Sequence, residues 1–161
     1  MAKVIHAPSS IKNIKKMSIF LAGTIDQGKS FDWQKAMAKE WDKFDIVLLN
    51  PRRPDWDSKA KSKEIKEQIN WELEAMDKAD IIVLNIIEDS ESPISIAEAY
   101  RHAGDSKLFV CCPKGFYRYE NVKAVCDYYG SAVYNSWEDL TKDFNKNMKP
   151  LIEAWEFTNN N

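Results

Sequence analysis

Two glutamates are the residues of this chain whose type and placement suggest chemistry. Apolar residues recur at helical spacing in the segment 64–76: Ile65, Ile69, Leu73 and Met76. They predict the buried stripe of a helix, and Glu72 falls beside that stripe, where an ionised carboxylate is unfavourable unless a partner or a ligand uses it. Glu98 lies early in a second predicted helix, which begins after Ser92 and Pro93. Two carboxylates placed in this way indicate acid–base or glycosyl chemistry.

Each glutamate also has a purely structural explanation. Glu98 could pair with Arg101 or His102, three and four residues further along the same helix, a contact worth only ~0.2–0.5 kcal/mol. Glu72 could be a partly exposed residue at the edge of the stripe. Both explanations stay open at the level of the sequence.

The loop at residues 22–30 is a candidate ligand loop. It follows a predicted strand and contains Gly23, Thr24 and Asp26. A glycine directly after a strand lets a ligand approach the backbone, and free amides in the following turn can receive a phosphate or a sugar hydroxyl. The loop matches neither the dinucleotide-binding nor the Walker glycine pattern, so an ordinary turn remains the alternative.

A second candidate loop, residues 50–57, combines two prolines with Arg52, Arg53 and Trp56. Arginine and tryptophan suit planar or anionic ligands, through stacking and forked hydrogen bonds. The alternative is a surface loop whose arginines pair with Asp55 and Asp57. We favour the ligand interpretation because this loop should lie beside the first one.

Composition narrows the class of protein. The 161 residues carry a formal net charge of −2 with acids and bases interspersed, so the basic face of a binder of polymeric nucleic acid is missing. The three cysteines are odd in number and lack metal-site spacing, which argues for a reducing compartment and against structural zinc. No run of ~18 apolar residues predicts a membrane span, and no signal peptide is recognisable. We therefore expect a soluble, cytoplasmic protein that does not bind membranes.

Short apolar runs alternate with polar or helical stretches along the chain. The runs occupy residues 17–22, 45–49, 81–86, 108–112 and 132–134. They predict an α/β fold with a doubly wound, five-stranded parallel sheet in flavodoxin-like order, which is a Rossmann-like three-layer sandwich. Residues 1–16 are expected to be a mobile N-terminal extension, and residues 17–158 a single domain. In such folds ligands bind at the carboxyl ends of the strands.

Capping signals and apolar stripes place three of the helices. Ser30 can cap a helix that carries Trp33, and Ser92 followed by Pro93 is a suitable start for the helix of Glu98. A last helix is expected over residues 137–157, bent or broken at Pro150.

Four motifs support a resemblance to a known family. They are residues 20–24, residues 50–53, residues 71–73 with Asp80, and residues 93–100. In their order and spacing they resemble the nucleoside 2-deoxyribosyltransferase family, especially its divergent branch with an asparagine-proline-arginine-arginine loop. The similarity spans most of residues 17–135.

The resemblance implies roles for both glutamates. Glu98 would be the nucleophile that attacks the anomeric carbon of a 2-deoxyribosyl group and forms a covalent ester. Glu72 would contact the leaving base and could give it a proton. No metal or organic cofactor is implied. We expect the other substrate-binding residues in the two loops, at the start of the second helix and in a neighbouring subunit: Gly23, Thr24, Asp26, Arg52, Arg53, Trp56, Ser92 and Asn121.

The chain departs from the family pattern in several places. Phe20 stands where the family commonly has a tyrosine that orients the nucleophile. Ser92 replaces an aspartate that binds the sugar hydroxyl in transferases. A serine at this position is more similar to the residue found in the related deoxynucleoside-monophosphate N-glycosidases. Those hydrolases, however, favour an arginine where this chain has Asp26. The family also completes its site from a neighbouring subunit, for which Asn121 is the matching residue and Tyr117 a less secure one.

The sequence therefore predicts a deoxyribosyltransferase-like enzyme that cleaves the N-glycosidic bond of a 2′-deoxynucleoside or its 5′-monophosphate. A small-molecule substrate and a homodimer or higher homo-oligomer with a shared site are the expected partners. Two alternatives stay open: an N-glycosidase that transfers the sugar to water, and a nucleotide-binding module without catalysis, which Phe20 would favour. The sequence does not choose the base.

Overall fold

The protein is an α/β structure built on one parallel sheet. The computed structural model describes residues 1–25, 31–53 and 61–159, and in these ranges it contains six strands and five helices. The strands are β1 (Lys3–His6), β2 (Ser18–Gly23), β3 (Val47–Asn50), β4 (Ile81–Asn85), β5 (Leu108–Cys111) and β6 (Ala132–Tyr134). The helices are α1 (Trp33–Glu40), α2 (Ser62–Lys78), α3 (Pro93–His102), α4 (Tyr119–Tyr129) and α5 (Trp137–Asn159).

The strand order is β1-β3-β2-β4-β5-β6, and every neighbouring pair is parallel. The central strands β3 and β4 are buried along their whole length, as expected where helices cover both faces of a parallel sheet. Successive side chains of a strand point to opposite faces. On β2, Phe20 and Ala22 enter one core, whereas Ile19 and Leu21 enter the other.

The two cores separate three layers. Trp71 of α2, Ala99 of α3 and Val122 of α4 pack on the face of the sheet that carries Phe20. Met37 of α1 and Phe144 of α5 pack on the opposite face. The predicted α/β class and the Rossmann-like layering agree with this arrangement.

The predicted number of strands is wrong, because the sheet has six strands and not five. The additional strand, β1, comes from residues 1–16, and Val4 pairs with Leu48 at the edge of the sheet. An edge strand has only one neighbour, and β1 carries Lys3 and His6, so it lacks the apolar run by which the other strands are recognised. Without β1, the remaining five strands have the flavodoxin-like order that the sequence predicts.

The helix ends differ in part from the capping signals. The side chain of Asp32 accepts a hydrogen bond from Lys35 N and caps α1, whereas the predicted cap, Ser30, lies outside the described residues. Helix α5 runs without interruption through Pro150, so the helix is not broken there. Side chains before and after the proline, such as Phe144 and Trp155, pack against the same core and hold the two halves in place.

Within the described ranges, none of the helices combines the length and the apolar character that crossing a membrane requires.

Candidate active site

A cavity of about 560 Å³ opens at the carboxyl ends of the central strands. Its walls come from the end of β2, the loop after β3, one side of α2, and the loop and first turns of α3. The chain continues from β2 to β3 on one side of β2, whereas β4 lies on its other side. The cavity is therefore at the topological switch point, where doubly wound sheets bind their ligands.

Gly23 ends β2 in a backbone conformation that requires glycine. Its φ is +132°, and a Cβ atom there would lie 2.1 Å from Asn85 O, a distance that no side chain tolerates. The next residue, Thr24, donates its backbone N–H to Asn85 O over 2.9 Å, and its own carbonyl accepts a 2.9 Å bond from Trp33 Nε1. Thr24 is therefore held at the cavity wall from both sides.

Three hydroxyl groups form a cluster at the same wall. Thr24 Oγ1 lies 2.6 Å from Ser92 Oγ and 3.2 Å from Ser90 Oγ, and the two serine oxygens are 2.7 Å apart. Ile87 fixes the cluster, because its N–H donates to Thr24 Oγ1 over 3.1 Å and its carbonyl accepts from Ser90 Oγ over 2.6 Å. Ser90 is not among the site residues that the sequence predicts, because only its position after a strand gives a signal.

Ser92 occupies the N-cap position of α3 and is followed by Pro93, as predicted. Its side chain makes no capping hydrogen bond, however, and its backbone is left-handed, with φ 42° and ψ 48°. The hydroxyl turns toward Thr24 instead of the helix. A left-handed serine is a strained conformation of the kind that clusters at functional sites.

Glu98 is partly buried on α3 and lines the cavity. The two basic residues that could have paired with it have other partners. Arg101 Nη2 lies 2.8 Å from Asp77 Oδ1, and His102 Nδ1 lies 2.6 Å from Asp105 Oδ2. The structural explanation of Glu98 as a partner of either residue therefore fails.

Burial, and then the nearby charge of Glu72, raise the pKa of Glu98 to about 8. The carboxyl group is therefore mainly protonated at neutral pH. Burial also raises the pKa of Glu72, while a hydrogen bond from Gln68 opposes that shift. The two carboxyl groups thus face one cavity and influence each other's charge.

The predicted apolar stripe of α2 is largely wrong. Ile65 and Ile69 are 42% and 48% exposed and line the cavity, and Leu73 is also exposed. The buried side chains of α2 are Gln68, Trp71, Ala75 and Met76. Glu72 follows directly after the buried Trp71, so it still lies at the edge of the buried face, but the isoleucines belong to the site and not to the core.

Arg52 and Arg53 reach the cavity from the loop after β3. Arg52 Nη1 donates to Phe31 O over 3.3 Å, and its Nε lies 3.7 Å from Asp32 Oδ2. The backbone of Arg52 is also anchored, since His6 Nδ1 donates to its carbonyl over 3.0 Å. These contacts connect β1, the start of α1 and the second candidate loop.

Several predicted site residues do not lie in the cavity or lie outside the described ranges. Asp26 and Trp56, and also Asp55 and Asp57 of the surface-loop alternative, are outside the described residues. Asn121 is exposed near the start of α4 and does not line the cavity of its own chain.

Two aromatic residues near the site can be placed. Tyr117 is 60% exposed, and its hydroxyl donates to the carbonyl of Glu91, a cavity residue, over 3.1 Å. Phe20 is fully buried, with its ring centroid 6.3 Å from that of Trp71. Phe20 thus supports the helix that carries Glu72 and does not line the cavity.

No cluster of three or more histidine, cysteine, aspartate or glutamate side chains suited to a metal ion occurs in residues 1–25, 31–53 and 61–159. The two carboxyl groups, the hydroxyl cluster and the arginines of the loop after β3 are therefore the groups that the described structure offers a ligand.

Comparisons with known proteins agree with this architecture. The fold resembles the crystal structure of a conserved protein from Enterococcus faecalis V583, with a TM-score of 0.60 and 14% sequence identity, over 81% of this chain and 98% of that chain. No curated protein matches the sequence. A family model described as "Nucleoside 2-deoxyribosyltransferase like" matches residues 16–116, which include β2 to β5 and every described wall of the cavity. The chain therefore belongs to the nucleoside 2-deoxyribosyltransferase-like family.

Proposed function

We propose that the protein cleaves the N-glycosidic bond of a 2′-deoxynucleoside or its 5′-monophosphate and transfers the deoxyribosyl group to another base. The observation that carries the proposal is the convergence of Glu72 and Glu98 on one cavity, where Glu98 is paired with neither Arg101 nor His102. Generally, proteins of this family are enzymes that act on glycosidic bonds. A carboxylate beside an oxocarbenium-like transition state is attracted to its positive charge and can then trap it.

The first half-reaction uses both glutamates. One carboxylate oxygen of Glu98 forms a bond to C1′ while the bond between C1′ and the base nitrogen breaks. The electron pair stays on the base, and Glu72 supplies the proton that neutralises it. In the second half-reaction a nitrogen of another base attacks C1′, the ester bond breaks, and the proton of the incoming base passes to Glu72. The two carboxyl groups supply nucleophile and acid, so the proposal needs no metal or organic cofactor.

The protonation states require one rearrangement before attack. Glu98 must be ionised to act as a nucleophile, yet its raised pKa leaves it protonated at neutral pH. Glu72 faces the same cavity and can take up this proton when a substrate excludes water. The base is then protonated by the group that received the proton, and the pair works as one unit that holds a single proton.

The hydroxyl cluster supports a binding site for the 5′ end of the substrate. Ser90, Ser92 and Thr24 present three oxygens beside the N-terminus of α3, where the helix dipole favours an anion. Arg52 and Arg53 line the same cavity. We propose that 5′-monophosphates are accepted. The ratio of kcat/KM for a deoxynucleoside and its monophosphate measures this, and a preference of more than tenfold for the unphosphorylated form, or an unchanged ratio in Ser92→Ala, would contradict it.

Two other functions are tested beside transfer: hydrolysis of the N-glycosidic bond, and nucleotide binding without catalysis. An N-glycosidase would share the first half-reaction and use water as the acceptor, and Ser92 in place of an aspartate favours it. A binding module without catalysis is favoured by Phe20, which cannot orient a nucleophile through a hydroxyl group.

We further propose that Asn121 of a neighbouring subunit completes the site, since this residue is exposed and lies outside the cavity of its own chain.

One experiment separates these functions. Purified protein is incubated with a panel of deoxynucleosides and their monophosphates, with and without a second free base, and the products are separated by chromatography. A new nucleoside formed only with the second base supports transfer. Release of base without exchange identifies the hydrolase. Binding with neither product would leave the binding module and contradict the proposal.

A further inference from the structure

Gln68 is a buried amide in the cavity wall to which the mechanism gives no part. It is 9% exposed and lies one helical turn before Glu72 on α2. Its Nε2 donates to Glu72 Oε1 over 2.7 Å and to Pro51 O over 2.8 Å. Its Oε1, by contrast, is buried and has no hydrogen-bond partner.

The orientation of this amide follows from its partners. The carbonyl of Pro51 can only accept a hydrogen bond, and an ionised Glu72 can also only accept one. A side chain that bonds to both must therefore donate two hydrogen bonds, and the amide nitrogen of Gln68 carries the two N–H groups that do so. A buried acceptor without a partner is unfavourable. Gln68 thus keeps both hydrogen bonds of its amide nitrogen, although its Oε1 is left without one.

We infer that Gln68 is a positioning residue, which ties the carboxylate of Glu72 to the loop after β3 and favours the ionised form of that carboxylate. The inference rests on the proposed function for the chemical use of Glu72 as acid and base. The contact itself does not depend on it. Arg52 and Arg53 follow Pro51 in the same loop and line the same cavity, so the contact connects Glu72 to the segment that carries both arginines.

The electrostatics of the site agree with this role. Burial raises the pKa of Glu72, and the hydrogen bond from Gln68 acts in the opposite direction. The other charged groups that line the cavity, among the described residues, come from the loop after β3 and from α3 with its preceding loop: Arg52, Arg53, Glu91 and Glu98. Gln68 is a buried side chain, and it donates a hydrogen bond directly to the carboxylate of Glu72.

The contact can be tested in the wild-type protein by NMR, without any substrate. One of the two Nε2 protons of Gln68 should shift with pH in step with the carboxyl carbon of Glu72, while the other, bonded to Pro51 O, should stay nearly constant. The pH dependence should vanish in Glu72→Gln. The side-chain amide of Asn70, which is exposed on the same helix, is the control and should not follow Glu72. Two Nε2 protons that both ignore the titration of Glu72 would overturn the inference.

A variant measures the size of the effect. Gln68→Met keeps the length of the side chain and removes its donors, so the pKa of Glu72 should rise, whereas Asn70→Met should leave it unchanged. On substrate, Gln68→Met should lower kcat by about tenfold, with a smaller change in KM, because the carboxyl group of Glu72 is no longer held in position. This loss should outweigh the easier protonation of Glu72 that its raised pKa brings. A folded Gln68→Met protein in which the pKa of Glu72 is unchanged would contradict the inference. If this variant does not fold, the amide protons of the wild type and of Glu72→Gln decide.

The outcome is independent of the proposed reaction. If no glycosidic activity is found and the Gln68 proton still follows Glu72, the proposed function fails and the positioning role stands. If activity is found and the Gln68 proton does not respond to the titration of Glu72, the proposed function stands and the positioning role fails.

Discussion

Glu72 and Glu98 face one cavity from two helices, and burial together with the charge of Glu72 raises the pKa of Glu98 to about 8. The pair is thus arranged so that both groups are not readily ionised at the same time. A nucleophile and an acid that share one proton are suited to a reaction in which one group must be charged and the other must be neutral.

The first prediction concerns stability and pH. The pKa of Glu98 is raised in the folded state from an ordinary value of 4.5 to about 8. The stabilisation of the protonated group is fully present below pH 4.5 and is lost as the pH rises through 8. Glu98→Gln is neutral throughout, so its melting temperature should equal that of the wild type near pH 5 and exceed it by roughly 5 °C or more near pH 9.

The control for this measurement is Glu91→Gln, which changes an exposed carboxylate at the same cavity. Its melting temperature should follow that of the wild type at both pH values. A constant difference between Glu98→Gln and the wild type across the pH range would show that Glu98 titrates normally.

The second prediction assigns the proton donor. Glu72→Gln should impair cleavage most for bases that are poor leaving groups, because those bases depend most on protonation. Substrate binding should survive, since the amide fills the same space. Rates for a series of bases of graded acidity provide the measurement, and equal losses across the series would mean that Glu72 only positions the ligand.

Several parts of the fold could be predicted from the sequence because central parallel strands have a strong signal. Strand β4 lies within the apolar run 81–86, and β5 lies within the run 108–112. Edge strand β1 could not be recognised, because a strand paired on one side needs no continuous apolar run. The N-terminal segment nevertheless belongs to the core, since Ala7 and Ile11 are each only 5% exposed.

The sequence points to the two glutamates that line the cavity, Glu72 and Glu98, but not to the residues beside them. Apolar periodicity on α2 pointed to Ile65 and Ile69 as core residues, whereas these side chains line the cavity. Gln68 was overlooked because a glutamine is usually exposed, and its burial makes sense only once its bonds to Pro51 and Glu72 are seen. The partners that decide such positions are distant in sequence, so local patterns do not contain them.

The third prediction tests the role of the N-terminal segment. Ile11→Ala removes a buried side chain from the core next to α2 and should lower the free energy of unfolding by about 2–5 kcal/mol. Lys12→Ala, the exposed neighbour, should change it little. Denaturant unfolding of both variants measures the difference, and equal stability of Ile11→Ala and Lys12→Ala would support the interpretation of residues 1–16 as a loose extension.

The fourth prediction concerns assembly. If each site combines Glu98 of one subunit with Asn121 of another, inactive Glu98→Ala and Asn121→Ala chains should recover activity when they are mixed. In a dimer, random exchange makes about half of the molecules mixed, and one of their two sites is intact, so about a quarter of the wild-type activity should return.

The matched control mixes Glu98→Ala with Glu72→Ala, two changes within the same site of one chain. Glu72 and Glu98 line one cavity of the same chain, so that mixture should stay inactive. Activity would return in it only if each site took Glu72 and Glu98 from different chains. A fully active monomer by light scattering would rule out the shared site.

A covalent deoxyribosyl ester on Glu98 can be sought directly. The protein is mixed with a deoxynucleoside, quenched within the first turnover, and analysed by mass spectrometry with Glu98→Gln as the control. We expect one deoxyribosyl adduct per active site on the peptide that contains Glu98, and neither adduct nor base release in Glu98→Gln. Release of base by the wild type without an adduct, together with near-normal release by a folded Glu98→Gln protein, would contradict this expectation.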